Sequence, residues 1–396
     1  MKLAWSVALL PLCLATCGRA AHPAQSPDAG LAQDGPSASP DAGAAASRCR
    51  ETGWIAEDVA RIDVDEFGTR SLDLAVTAAG SVHAVYEGDL FGPIVYLSRD
   101  APNEWGTESF SGTEAKLAVD RGEGVHMSYR IGPFSSMLGY AYKSDGEEWT
   151  HEGISVGFVP ASHVIAIDPL GNPQIAYSDL WSDVGHAVRG KDGTWRIREA
   201  TVQGAALFEI GIDESGHAQV GARQWIEAPG GDTFRVVHAS ISGDGTWDEQ
   251  LVDEQDCHSL AIAFAIEASG AFHAAYMRSA GEGCSLRYAF QSTAGVLQVT
   301  DLMISETECG VQGMGVDPWG GVHLKFWQHE ENLYVRSTAG GAWLTEPTPI
   351  GGGHAFDTCE IAADDHGAAH LLCAVLSNDE SSEKGTAELT YAYRCP

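Results

Sequence analysis

Five histidines recur at matched places along the chain, His83, His126, His273, His323 and His370. Regularly spaced imidazoles suggest a zinc ring first, because neutral imidazole is a common zinc ligand. Two further matched places hold Gln174 and Gln219. An amide can replace imidazole as a hydrogen-bonding group but not as a zinc ligand. The series is therefore expected to serve packing and hydrogen bonding, and no metal is assigned. One G-x-S-x-G run, Gly153-Ile154-Ser155-Val156-Gly157, falls in a stretch that reads as an outer β-strand. A nucleophile of that motif needs a strand-to-helix elbow, so Ser155 is set aside. H-E-x-x-H, P-loop, CxxC and D-x-[DN]-x-[DN]-G patterns are absent from the sequence. Acid clusters such as Asp253, Glu254 and Asp256 lack calcium-loop spacing. No catalytic constellation emerges, and no cofactor is assigned.

Aromatic residues offer a better lead. Phe91, Phe134, Trp181, Trp225 and Trp327 each follow a His/Gln position by four to eight residues. Arg130, Arg223, Arg278 and Lys325 accompany them in a chain with 23 basic residues against 55 acidic ones. Aromatic faces with a few polar groups bind sugars or peptides. The competing reading is that these rings plug the ends of the fold, since apolar side chains often stay partly exposed.

These residues sit in a repeat that begins near residue 50. Each unit has an apolar residue, Ala or Gly, another apolar residue, usually an acid, then Gly, then His or Gln and a short apolar run. Leu117-Ala118-Val119-Asp120 with His126 is one instance, and Ile165-Ala166-Ile167-Asp168 with Gly171 and Gln174 is another. Seven units occur, with anchors 43, 48, 45, 54, 50 and 47 residues apart. The first run reads as a buried inner strand whose Ala or Gly lets neighbouring units approach near an axis. Asp-x-x-Gly predicts a tight turn. A second and a third strand follow, and Trp105, Trp149, Trp195, Trp247 and Trp343 open a fourth; the fifth unit has Val296-Leu297 instead. Four strands per unit at this period predict an all-β, seven-bladed propeller rather than a solenoid.

The seventh unit runs out at Tyr391-Ala392-Tyr393 with no Trp after it, while Gly53-Trp54-Ile55-Ala56 precedes the first inner strand. The N-terminal segment is thus expected to supply the outer strand of the last blade and to cover its edge. Cys49 and Cys395 flank that strand pair, which predicts a bridge between them. Cys257, Cys284, Cys309 and Cys359 allow several pairings, and Cys373 is expected as a buried thiol.

Asp145-Gly146-Glu147-Glu148-Trp149, Asp192-Gly193-Thr194-Trp195 and Asp244-Gly245-Thr246-Trp247 resemble shortened Asp-box hairpins of sialidase-like (BNR-repeat) propellers. The likeness spans roughly residues 50 to 396 and implies architecture. The hairpins are shorter than Asp boxes, and no arginine triad is found, so sialidase activity does not carry over.

The N-terminus reads as an address. Lys2 is followed by an apolar stretch from Leu3 to Leu14, too short to span a bilayer. Leu14-Ala15-Thr16-Cys17 resembles the lipobox of bacterial lipoproteins, with Thr16 departing from the usual Gly, Ala or Ser. It implies acylation of Cys17 and anchoring at an envelope membrane. Cleavage near Ala20 or Ala21, giving a secreted protein, is the alternative. Residues 18–48, rich in Ala, Pro, Asp, Gly and Ser, read as a disordered tether. A net charge of −32 argues against nucleic acid. The function expected is a non-catalytic envelope module, a monomer that recognises a glycan or protein through its loop face. A sialidase-like propeller hydrolase or lyase and a structural scaffold are the alternatives.

Overall fold

The computed structural model describes residues 53–395 apart from 65–70, 89–91, 133–134, 145, 180–182, 202–204, 227–232, 242–245, 256–261, 281–282, 306, 308, 330, 339, 352–357 and 378–384. Its strands form seven four-stranded antiparallel sheets, the blades of a β-propeller. β1 (Trp54–Val64) is set apart by the closure. Blade 1 is β2 (Ser71–Val76), β3 (Val82–Glu87), β4 (Ile94–Ala101) and β5 (Glu104–Phe110). Blade 2 is β6 (Thr113–Val119), β7 (Val125–Arg130), β8 (Met137–Lys143) and β9 (Thr150–Ser155). Blade 3 is β10 (Ser162–Ile167), β11 (Pro173–Ser178), β12 (Asp183–Arg189) and β13 (Trp195–Thr201). Blade 4 is β14 (Ala205–Ile212), β15 (Ala218–Ile226), β16 (Thr233–Ile241) and β17 (Trp247–Gln255). Blade 5 is β18 (Ile262–Ile266), β19 (Phe272–Ala280), β20 (Gly283–Gln291) and β21 (Leu297–Ser305). Blade 6 is β22 (Cys309–Val316), β23 (Val322–Gln328), β24 (Glu331–Ser337) and β25 (Trp343–Pro347). Blade 7 is β26 (Thr358–Ala363), β27 (Ala369–Ser377) and β28 (Gly385–Arg394), completed by β1.

The closure matches the expectation from the missing Trp strand. Trp54 lies opposite Arg394 and Val64 opposite Gly385, so β1 covers the whole length of β28. Ring closure therefore rests on backbone hydrogen bonds between the two ends of the propeller.

The repeated residues have separate tasks. In blade 3, the Asp168 carboxylate accepts the N–H groups of Leu170 and Asn172 at 2.8 Å each, and Gly171 takes φ +82°. The turn thus needs both the acid and the glycine. Close approach near the axis explains the Ala or Gly of the inner strands: a Cβ on Gly211 would lie 2.4 Å from Ile266 Cβ of the next blade. The histidines work inside the blades. His126 meets Tyr140 Oη at 2.8 Å and Asp120 at 3.1 Å, and His273 meets Tyr288 Oη at 2.6 Å and Glu267 at 2.8 Å. His323 and His370 likewise lie between a turn carboxylate and a third-strand tyrosine.

A second pattern holds blade to blade. Trp105, Trp149, Trp195, Trp343 and Trp54 each pack edge-on against a third-strand tyrosine of the preceding blade, with centroids 4.9–5.4 Å apart. Three residues beyond the Trp, Glu57, Glu108, Glu152 and Glu346 each receive a cation from the following blade: Arg99, Lys143, Arg189 and Arg394 respectively. The Trp195 indole donates to Glu152 at 2.8 Å as well. Blade 5 departs from the rule, as Leu297 in place of Trp foreshadows; its Gln291 donates to Gln250 of blade 4.

Two disulfides are formed wholly among the described residues. Cys284 on β20 joins Cys309 on β22, stapling blade 5 to blade 6. Cys359 joins Cys373, its direct cross-strand partner. The expectation of a free thiol at Cys373 is therefore corrected: a second-strand residue opposite a first-strand cysteine is at bonding distance. Cys395 is also disulfide-bonded; Cys49, its expected partner, lies outside the described residues, as do Cys17 and Cys257. Buried disulfides fit a chain that folds in an oxidising, exported compartment.

Candidate functional site

Side chains alternate along a strand, so the residue two before each repeat Ala or Gly shares its face. Those residues are Asp73, Lys116, Val164, Glu209, Ala263, Gly313 and Glu360, one per blade. They line a central channel: Asp73, Lys116, Val164, Glu209 and Glu360 bound a cavity of about 160 Å³. A wider cavity of about 340 Å³ opens beside it and adds Ser71, Glu114, Ser162, His163, Gln312 and Thr358 to the wall.

The charges in this ring act on one another. Lys116 Nζ lies 3.7 Å from Asp73 Oδ1, and Asp73 Oδ2 accepts the Leu117 N–H at 2.6 Å, which ties blade 1 to blade 2. Burial works against the Lys116 ammonium, but Asp73, Glu360 and Glu209 outweigh it and raise its pKa. Burial pushes Glu209 up to about 8, and the Asp73 charge adds to it; Lys116 and the Ile210 N–H only partly oppose the rise. Glu360 is pushed up to about 8 by burial, with Asp73 and Glu209 acting in the same sense and Lys116 against. Both glutamates therefore hold their protons more tightly than an exposed carboxyl group does. His163, 3% exposed, is pushed down to about 4, chiefly by burial.

Strand register shows which end of the channel this is. Ser71 pairs with Glu87, Ala205 with Gln224 and Gly310 with Trp327, so inner strands begin where second strands end. The wide cavity thus opens on the face that carries the loops after the second strands. Trp225 stands on this face, 39% exposed, with its ring 6.1 Å from Phe234. Trp327 is half-buried: a Cβ on Gly310 would meet its Nε1 at 2.3 Å, so the indole lies against the backbone of β22. Arg130 is held by Glu114 at 2.6 Å, and the Glu114 N–H donates to Glu87 at 2.9 Å. Arg223 stacks on Phe234 at 5.0 Å, and burial lowers its pKa. Arg278 is exposed near the end of β19.

Lys325 requires a correction. It is fully buried in blade 6, where its ammonium donates to Asn332 and to the Phe326 carbonyl, so it presents no charge to the loop face. Its position on the interior side of β23, between His323 and Trp327, accounts for this. Phe91, Phe134 and Trp181 lie outside the described residues.

The charged ring itself was not anticipated, although the signal is in the repeat. Four of seven equivalent positions carry a charge beside an otherwise apolar strand, and a buried charge in a repeated inner strand is unusual.

No family model matches the chain, and no curated protein matches it. Among solved structures, a catalytically inactive virginiamycin B lyase from Staphylococcus aureus with quinupristin aligns at TM-score 0.53 and 10% identity, over 86% of this chain and 99% of that one. A polysaccharide lyase of family PL25, an ulvan lyase, aligns at TM-score 0.54 and 12% identity, over 86% of this chain and 95% of that one. The likeness is one of fold. At these identities it carries architecture and not chemistry.

Proposed function

We propose that the protein is an exported, non-catalytic binding module that takes a glycan at the mouth of its central channel. The observation that supports this is the composition of the mouth. Thr358, Gln312, Ser71 and Ser162 put hydroxyl and amide groups around a cavity of about 340 Å³, with the Ser71 hydroxyl donating to the Ala115 carbonyl and that of Ser162 paired with Ser178, and carboxylates stand beside them. Sugar hydroxyls pair readily with such groups, while an exposed indole such as Trp225 offers a flat apolar surface to a sugar ring. The acid lining and the net charge of −32 select against uronates and sulfated sugars. The ulvan lyase, whose structure holds a glucuronate-containing saccharide, is thus not a guide to this ligand. An envelope location through an acylated Cys17 fits the same role, because a tether would hold the mouth clear of the membrane.

A sialidase-like hydrolase or lyase is the second reading, supported by Glu209 and Glu360, whose raised pKa values suit a proton donor near pH 7. A glycan array on the exported chain, followed by a turnover assay on each hit, separates the two. Binding with intact ligand supports the module, bond cleavage supports the enzyme, and silence on every glycan removes both.

A further inference from the structure

Every blade ends in an outer strand that is hydrogen-bonded on one side only. Such edges in native sheets are normally guarded against pairing with another chain. Six of the seven are guarded here. β1, β13 and β17 each carry three or more charged residues, and β25 is five residues long and ends in Pro347. β5 and β9 hold glutamate and show no exposed aliphatic side chain. β21 is the exception. Its nine residues hold one charge, Asp301, whose carboxylate is engaged by Arg287 at 2.7 Å. Ile304 is 74% exposed and Val299 42%, and Val296, just before the strand, is 55% exposed. This is also the blade where Leu297 stands in place of the tryptophan that opens the outer strand of the other six.

Register shows which backbone groups this edge presents. The Ser292 N–H donates to the Val296 carbonyl at 3.2 Å, Phe290 lies opposite Gln298, and Tyr288 lies opposite Thr300. Hydrogen bonding alternates along an antiparallel pair, so Gln298 and Thr300 bond inward to β20. Leu297, Val299 and Asp301 turn their N–H and C=O groups outward. The pairing with β20 shifts register only beyond Asp301, so these groups form an unbroken row.

We infer that this row is a docking edge for a second copy of the chain, with β21 pairing antiparallel to its own copy about Val299. Charge selects the occupant. With 55 acidic residues against 23 basic ones, two copies repel one another over most of their surfaces. β21 is the long outer strand on which they meet with least charge. A cationic segment of another protein would gain more from β17, which carries Asp248, Glu249, Asp253 and Glu254. In the register centred on Val299, Gln298 faces Thr300 of the second copy and Leu297 faces its Asp301. The two aspartates are thus kept from lying opposite each other, where like charges destabilise a strand pair. A strand that pairs with itself uses the same edge in both copies, so the assembly closes at a dimer. The contact is smaller than a standard interface, which makes the dimer weak and reversible. The unguarded edge is the reason for departing from the monomer expected of the sequence.

Sedimentation equilibrium of the full chain between about 1 and about 300 µM tests this, a range suited to weak interfaces. A reversible monomer–dimer equilibrium is expected. Its dissociation constant should fall severalfold between about 50 mM and about 500 mM salt, as repulsion between the acidic copies is screened. Val299→Glu opposes two carboxylates at the centre of the pair. Val299→Pro removes one outward N–H from each copy and leaves the bonds to β20 in place. Each should raise the dissociation constant at least about tenfold with the thermal midpoint kept. Leu344→Glu, on the exposed apolar residue of β25, should leave it unchanged. If Val299→Pro lowers the thermal midpoint, the Val299→Glu result decides. A chain that stays monomeric at every concentration and salt, a dimer that survives the Val299 variants, or association that runs past the dimer overturns the inference.

Discussion

Gln174 on β11 and His186 on β12 meet across blade 3 at 2.9 Å, the reverse of the arrangement in blade 2, where the second strand carries His126 and the third carries Tyr140. Blade 4 repeats the reversal with Gln219 and His238, also at 2.9 Å. Wherever the second strand has glutamine, the third strand has histidine in place of tyrosine. The two positions exchange as a pair, since each blade interior must keep one buried donor matched to one acceptor.

This pairing yields a double-mutant test. Gln174→His alone places two imidazoles in blade 3 and should cost on the order of 1–3 kcal/mol, the price of an unmatched buried polar group. Adding His186→Tyr should recover most of the loss by recreating the His–Tyr pair of the other blades. Urea unfolding of the wild type, both single variants and the double variant measures the coupling. Strict additivity would show that the two side chains do not act as a unit.

The contrast between what the sequence revealed and what it hid follows from the repeat. Blade number, the loan of Trp54 to blade 7 and the Asp-x-x-Gly turns were legible because seven copies average out local accident. The Gln/His exchange was half-legible: Gln174 and Gln219 stood out, but their partners lie on another strand at variable distance. Lys325 was misplaced because strand alternation around His323 says which side it takes only once the blade interior is known. Cys359–Cys373 and Cys284–Cys309 depend on cross-strand register and on the approach of neighbouring blades, which spacing does not encode. The channel ring was passed over because each charge belongs to a different blade, so no local window holds two of them.

Stability against pH should show an alkaline limb set by the channel. Glu209 and Glu360 have folded-state values of about 8 against an ordinary 4.5, so the folded state holds more protons between these limits and their contribution is lost as pH rises to 8. Burial acts oppositely on His163 and His186, both about 4 against an ordinary 6.5, whose contribution grows as pH rises to 6.5 and then stays constant. The two slopes oppose below pH 6.5, and above it the glutamates are left uncompensated. Thermal midpoints should therefore fall from pH 6.5 to 8, and Glu209→Gln with Glu360→Gln should flatten that limb alone. An unchanged slope in the double variant would place the titrating groups elsewhere.

At the outer seams the sign is reversed. Burial would raise the pKa of Glu57, but its bonds to Arg99 and the Asn103 N–H outweigh it and hold the carboxylate below its ordinary 4.5. Its contribution is present above that value and lost as pH falls through the folded-state pKa. Because Glu57 lies on the closing strand β1, Glu57→Gln should reduce the acid limb and lower the thermal midpoint at pH 7. A variant as stable as the parent at pH 7, with the same acid limb, would mean that backbone pairing alone secures the closure.

Thiol accounting checks the disulfides. Cys284, Cys309, Cys359, Cys373 and Cys395 should all resist alkylation in denatured, unreduced protein, as mass spectrometry of the digested chain would show. Label on Cys373 would restore the free thiol. Replacing Cys284 and Cys309 by serine releases a separation of 25 residues, and chain entropy places the loss at about 3 kcal/mol. Reduction should therefore lower the parent's denaturation midpoint but leave that double variant less affected.

The two described tryptophans of the loop face separate binding from packing. Trp225 is 39% exposed and packs on Phe234, its one aromatic neighbour among the described residues, so Trp225→Ala removes few buried contacts and should shift stability by less than about 1 kcal/mol. Trp327 covers Gly310 on an inner strand, so Trp327→Ala bares backbone beside the channel and should cost about 3 kcal/mol, near the lower end for large aromatic truncations. If the mouth binds glycans, the order reverses for affinity: an exposed indole contributes its flat face to the sugar ring, and Trp225→Ala should weaken binding the more. Unfolding and glycan titration on the same two proteins give both readouts. A Trp225→Ala protein that loses stability but binds normally would show that this ring plugs the end of blade 4, and the binding surface would then contract to the channel wall.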